Sequence, residues 1–235
     1  MSLTFTDSDA QSTDGFCKFL VYGVGGTGKT VLATTMPTPI ILSAESGLLS
    51  LTKKNQIRIH GTHQNIPVIV IKSVDDLAEA FAQLQTSAYD QFESVVLDSV
   101  SEIAEVVLSN ARAKVKDPRQ AYGELADKMT MLIRGFRDLP KHVYFSAKQE
   151  RVADASGMLL FGPSMPGKQL TQGIGYFFDE VFSLDISPRD ANGASYRFLR
   201  TQGDAQWQGK DRSGQLDAIE EPHLGKIIAK IRKQD

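Results

Sequence analysis

Gly23-Val24-Gly25-Gly26-Thr27-Gly28-Lys29-Thr30 decides how this chain is read. It fits the pattern G-x-x-x-x-G-K-[ST]. The apolar run FCKFLVYG (16–23) leads into it, and a stretch able to wind into a helix over 29–36 follows. Glycines let the backbone curl until several N–H groups converge on one anion, and a helix start adds positive potential behind them. In such a loop Lys29 reaches outer phosphates and the Thr30 hydroxyl ligates Mg2+. Gly23, Val24, Gly25, Gly26, Thr27, Gly28, Lys29, Thr30 and Val31 are therefore expected to cradle a phosphate chain. By chance the pattern arises in roughly one chain of this length in a hundred, before the flanking strand and helix are counted. A plain Gly-rich turn is the competing interpretation.

Working outward, the loop's helix leads to a strand, PIILSA (39–44), so the N-terminal half begins a parallel sheet. IPVIVI (66–71) is a further strand. Ser73 and Asp76 form a capping-box-like start for a helix with Val74, Leu77, Ala78, Phe81 and Leu84 at helical spacing. SVVL (94–97) reads as a fully buried strand. Val100, Ile103, Ala104, Val107, Leu108, Ala111 and Val115 mark an amphipathic helix. Leu125, Met129, Leu132 and Phe136 carry another, stopping at Pro140, and HVYFSA (142–147) is the next buried strand. Near 150 the character changes. SGMLLFGPSMPG, FDEVFSLDI, SYRFLRTQ and QWQG are short and divided by Gly, Pro, Asn and Asp, which predicts an antiparallel extension. A last helix over 222–233 buries Leu224, Ile227, Ile228 and Ile231. The expectation is an α/β fold: a flexible arm over 1–14, then one domain over 15–235 whose sheet is mainly parallel with an antiparallel C-terminal extension.

Composition bounds the function. Hydrophobic residues at 41% and charged residues at 23% of 235 are ordinary globular values. Lys plus Arg 26 against Asp plus Glu 28 gives −2, which argues against a protein that coats duplex DNA through a basic surface. The single cysteine, Cys17, excludes an internal disulfide and fits a reducing cytoplasm. With four scattered histidines, a His/Cys metal site is not expected. No apolar run approaches the roughly 18 residues of a membrane span, and the acidic, hydroxylated start is unlike a signal peptide. The expectation is a cytoplasmic chain with no membrane partner.

The second chemical element is Val95-Val96-Leu97-Asp98-Ser99, which ends a buried strand in a carboxylate. Asp98 is expected to hold Mg2+ through water. The alternative is an N-cap, since Ser99 with Glu102 also forms a capping box. Ser99 fits either role. An Asn-Lys-x-Asp base-reading motif is absent, which argues against a GTPase, and an Arg-rich lid, which a small-molecule kinase would bring, is absent too.

On these residues the chain resembles the RecA-like P-loop ATPases, most closely the small phage-encoded RecA-core ATP-binding proteins linked to single-strand annealing and recombination. The resemblance covers about 16–233 and implies a three-layer RecA-like fold hydrolysing ATP with Mg2+. It implies that a glutamate after the second strand activates the attacking water, and Ile41-Leu42-Ser43-Ala44-Glu45-Ser46-Gly47 supplies Glu45, unless that residue is a solvated loop acid. It implies a γ-phosphate sensor where HVYFSA meets Lys148-Gln149, and Gln149 is favoured because an amide both donates and accepts. Many phage relatives carry a histidine near this position, and this chain does not. Trp207-Gln208-Gly209-Lys210-Asp211-Arg212-Ser213-Gly214 is similar to the Lys-x-Arg element of RecA-like replicative helicases, which contacts ATP in the neighbouring subunit. Lys210 and Arg212 would then act as a finger in a homo-oligomer with shared sites; a hairpin of solvated charges is the alternative.

The same resemblance places DNA-contacting loops at 151–158 and 162–175, with Lys168 as the contact residue or else an ordinary loop lysine. The sets Arg112, Lys114, Lys116, Arg119 and Lys226, Lys230, Arg232, Lys233 read as solvated helix faces. The implied partners are ATP, further copies of the chain, single-stranded DNA and a single-strand-binding protein, in a bacterial cell through phage or prophage. Two alternatives stay open: a nucleotide-regulated binding or assembly module that recruits a DNA-binding partner, and a helicase loader or motor.

Overall fold

Strands β1 (Lys18–Gly23), β2 (Pro39–Ser43) and β4 (Ser94–Asp98) are apolar on both faces and lie buried mid-sheet, as strands of a parallel sheet covered on both sides must. The computed structural model describes residues 15–45, 48–61, 63–153 and 156–232; the expected 1–14 arm lies outside the described residues. The remaining strands are β3 (Val68–Val70), β5 (His142–Ala153), β6 (Leu159–Ser164), β7 (Glu180–Ile186), β8 (Arg197–Arg200), β9 (Lys210–Asp211) and β10 (Ile219–Glu220). The helices are α1 (Lys29–Ala33), α2 (Lys53–His60), α3 (Val74–Gln83), α4 (Val100–Lys114), α5 (Pro118–Arg137), α6 (Lys168–Gly173) and α7 (Leu224–Ile231).

The sheet order is β10-β8-β7-β1-β5-β4-β2-β3, with β6 beside β5 and β9 beside β7. From β7 to β3 every pairing is parallel. β6, β8, β9 and β10 pair antiparallel. Period-two alternation splits each strand between two cores. Leu20 and Tyr22 join Leu77, Ile103, Leu125 and Phe136 beneath α3, α4 and α5. Phe19 and Val21 join Leu32, Met36, Leu224 and Ile227 beneath α1 and α7. The result is the three-layer, mainly parallel α/β architecture with an antiparallel extension that the sequence implies.

Local signals hold where the chemistry is local. The Ser73 hydroxyl accepts from Asp76 N at 3.1 Å and the Asp76 carboxylate accepts from Ser73 N at 2.9 Å, closing the capping box of α3. Several details differ from expectation, among them the stretch 162–175, expected as a loop, which holds the end of β6, the helix α6 and part of a 3-10 turn. FDEVFSLDI becomes β7, which lies parallel to β1, because α6 and a 3-10 turn at Ile174–Phe177 carry the chain back before it re-enters the sheet. QWQG forms no strand; Trp207 makes one isolated bridge to Phe161 and stacks on its ring at 4.5 Å. α1 stops at Ala33, where the Thr34 and Thr35 hydroxyls bond back to the Val31 and Leu32 carbonyls, both at 2.7 Å. The helix α2 was not expected, because KKNQIRIH carries no continuous apolar stripe.

Register gathers the site. Gly23 lies opposite Lys148, and Ser43 lies opposite Asp98. The loops after β1, β2 and β4 therefore open at one edge of the sheet, the carboxyl edge where open α/β sheets bind ligands.

Candidate nucleotide site

The loop after β1 needs its glycines for identifiable reasons. Gly26 and Gly28 have φ of 85° and 108°, in the left-handed region. A Cβ on Gly23 would stand 2.6 Å from the Leu184 carbonyl oxygen. At Gly25 and Gly26 a Cβ would meet nothing within 4 Å, so the loop's outer surface is open. Lys29 folds back over the loop, its Nζ donating to the carbonyls of Gly23 at 2.7 Å and Val24 at 3.0 Å. Burial pulls the Lys29 pKa down, while the Asp98 and Glu45 carboxylates oppose that shift. The Tyr144 hydroxyl donates to the Lys29 carbonyl at 2.9 Å and fixes the start of α1 from beneath.

Across the cleft, Thr30 Oγ1 donates to Asp98 Oδ2 at 2.7 Å. The Ser146 hydroxyl donates to the other oxygen, Asp98 Oδ1. Burial pushes the Asp98 pKa up despite these two donors. Glu45 enters from the loop after β2, held by Ser99 Oγ, which donates to Glu45 Oε1 at 2.7 Å. Ser99 also caps α4, accepting from Glu102 N at 3.3 Å, so one hydroxyl serves both the cap and the contact to Glu45. Lys29, Thr30, Glu45 and Asp98 line one cleft of about 400 Å³ with Lys148, and Arg58 of α2 and Arg197 of β8 complete its walls.

A family model described as AAA domain matches residues 16–213. The chain belongs to this AAA domain family. Solved structures similar to it include a KaiC-like protein from the hyperthermophilic archaeon Pyrococcus horikoshii OT3, at 14% identity over 78% of this chain and 76% of that one, with a TM-score of 0.44. The flagellar accessory protein FlaH from Methanocaldococcus jannaschii is similar at 12% identity over 88% of this chain and 90% of that one, also with a TM-score of 0.44. No curated protein matches the sequence.

The residues of the AAA domain fit a nucleotide with Mg2+: a glycine loop with an open surface, a lysine over it, and a hydroxyl paired to a carboxylate. Other expected site residues fall elsewhere. Strand alternation turns Lys148 toward the cleft, and Gln149 is not among the lining residues; its Oε1 is buried without a hydrogen-bond partner. Lys148 Nζ bonds Glu102 Oε2 at 2.6 Å. Lys210 and Arg212 are at the opposite end of the sheet, since β9 pairs with Glu180 and Val181 of β7, which face the start of β1. There Lys210 Nζ donates to the Phe178 carbonyl at 2.5 Å and Arg212 pairs with Asp179 at 2.6 Å. Lys168 is exposed and lines a separate cleft of about 230 Å³ with Tyr122. Arg58, Arg197 and Ser146 were not expected. Ser146 lies in the buried strand HVYFSA, where a polar side chain needs a partner, and that was the one available signal.

Proposed function

We propose that the chain binds ATP with Mg2+ in the cleft above β1 and hydrolyses it, and that it couples this to single-stranded DNA in phage or prophage recombination or annealing. The observation that carries the ATP reading is the Thr30–Asp98 hydrogen bond of 2.7 Å inside the cleft that also holds Lys29 and Glu45. Mg2+ would neutralise charge on the phosphate oxygens as the terminal group transfers to water. The Thr30 hydroxyl and, through water, Asp98 are the residues to hold it. Lys29 supplies fixed positive charge to the outer phosphates. Glu45 takes the proton of the attacking water, with Ser99 fixing the orientation of its carboxylate.

The DNA part rests on the family resemblance together with exposed basic and aromatic side chains near Lys168. Tyr122 shares that residue's cleft, and Arg112 bonds the Tyr122 hydroxyl at 3.0 Å. The C-terminal basic set is less available, since Lys226 pairs with Glu221 and Lys230 with Asp217 and Glu220. The test is ATP turnover measured with and without single-stranded DNA. Strong stimulation supports the coupled reading. Turnover indifferent to DNA would favour a nucleotide-regulated module that recruits a DNA-binding partner, and no turnover at all would sink the ATPase.

A further inference from the structure

Arg197 stands at the mouth of the phosphate loop, although it lies 170 residues beyond the loop residue that it touches. Register puts it there. Tyr22 of β1 faces Ser183 of β7, and β7 runs on to Ile186, which faces Arg197 of β8. Arg197 is thus level with the loop that follows Gly23, not with the strand. Alternation sets which face it takes: Leu199, two residues on, is fully buried in the core beneath α1, so Arg197 shares the α1 face of the sheet.

Its contacts are specific. Arg197 Nε donates to the Thr27 carbonyl at 2.7 Å. A Cβ on Gly28 would lie 3.3 Å from the same nitrogen, so the guanidinium covers the loop closely. Among the described residues Arg197 makes no ion pair, whereas Arg200 and Arg212 both pair with aspartates. With Nε committed to Thr27, the terminal amino groups of a cation lining the cleft remain for an anion.

Position along the cleft selects which anion. Asp98 ends β4 and Glu45 follows β2, both on one side of β1, and Lys148 lies on β5, between β1 and β4. Arg197 is on the other side, reached from β1 through β7 and β8. It therefore lines the same cleft from the side opposite Asp98 and Glu45, the acids assigned above to the reacting phosphate.

We propose that Arg197 is a nucleotide-affinity residue: it braces the phosphate loop through Thr27 and takes an inner phosphate of a nucleoside di- or triphosphate in a guanidinium fork. A planar fork suits phosphate oxygens better than a point charge does. This rests on the ATP reading above. It makes the antiparallel extension, through β8, part of the binding site.

The test is titration of the full chain with fluorescently labelled ADP and ATP, comparing the native protein with Arg197→Ala and Arg197→Lys. Arg197→Ala is expected to weaken both nucleotides by a similar factor, roughly ten- to a hundred-fold. KM for ATP should rise by that factor with kcat little changed. Arg197→Lys keeps charge and stem without the fork; it should fall between the other two, and it carries the test if the alanine variant does not fold. Unchanged ADP affinity in both variants would overturn the proposal. So would a loss confined to ATP, which would move Arg197 to the outer phosphate. If the native protein binds neither nucleotide, the ATP reading itself has failed, a result distinct from native binding that ignores Arg197.

Discussion

Thr30 Oγ1 bonds Asp98 Oδ2 at 2.7 Å, joining the first turn of α1 to the end of a strand that lies two positions away in the sheet. In the proposed site a hard cation would take this hydroxyl as a direct ligand and this carboxylate through water. Asp98→Asn keeps the shape and still accepts from Thr30, yet removes the charge. The expected outcome is nucleotide binding within about ten-fold of native and a much higher Mg2+ requirement for turnover. Titrating Mg2+ at fixed ATP checks this, and an unchanged Mg2+ dependence would remove Asp98 from the metal's surroundings.

Among the described residues Glu45 is the one carboxylate of the cleft besides Asp98, and Ser99 donates to a single oxygen of it, Oε1. Glu45→Gln preserves volume and the Ser99 contact but cannot take a proton. ATP affinity should stay near native while turnover falls by about 10²- to 10⁴-fold. Collapse of binding would instead mark Glu45 as a support for the loop after β2.

The parts legible in the sequence were those whose chemistry is contiguous. Gly23 to Thr30 carries its own backbone requirements, and Asp98 ends an apolar run that only a buried strand explains. Glu45 followed from the family resemblance. What stayed hidden depends on contacts between distant segments. The direction of β7 is set by the path through α6, which no periodicity within FDEVFSLDI encodes. The choice between Lys148 and Gln149 is made by the pleat of β5, one residue in either direction. Arg197 became visible only once Ile186 was found opposite it.

Glu180 predicts an unusual stability profile. It is 2% exposed at the start of β7, accepts from Ser213 N at 3.3 Å through Oε1, and has its Oε2 buried without a hydrogen-bond partner. Burial first, then the nearby Asp211 and Asp179 carboxylates, push its pKa from 4.5 to about 8. The folded chain therefore keeps a proton that the unfolded chain has lost above pH 4.5. That contribution is fully present below about pH 4.5 and is lost as pH rises through about 8. Glu180→Gln stays neutral and should not share the loss. Its melting temperature, relative to native, should climb between pH 5 and pH 9, at about 2–4 °C per kcal/mol for a chain of this size. A difference that does not change with pH would mean that Glu180 is already ionised in the fold.

Arg212 raises the last question, whether the active unit is one chain or several. Its side chain is 60% exposed and paired with Asp179 at the end of the sheet opposite its own phosphate loop. β1 separates the two, with a rise of about 3.3 Å for each of its residues. Any contact between Arg212 and a nucleotide therefore has to be made in a neighbour's cleft, with the Asp179 pair exchanged for phosphate oxygens. If Arg212 acts as such a finger, worth about 10³ to 10⁵ in rate, Arg212→Ala should bind ATP yet barely hydrolyse it. Lys29→Ala should abolish nucleotide binding while leaving Arg212 intact. Mixing the two variants then separates the cases. Each carries what the other lacks, and if the finger works across an interface, mixed oligomers regain part of the native turnover. A mixture shown to co-assemble that recovers nothing would return Arg212 to the surface, as a solvated partner of Asp179.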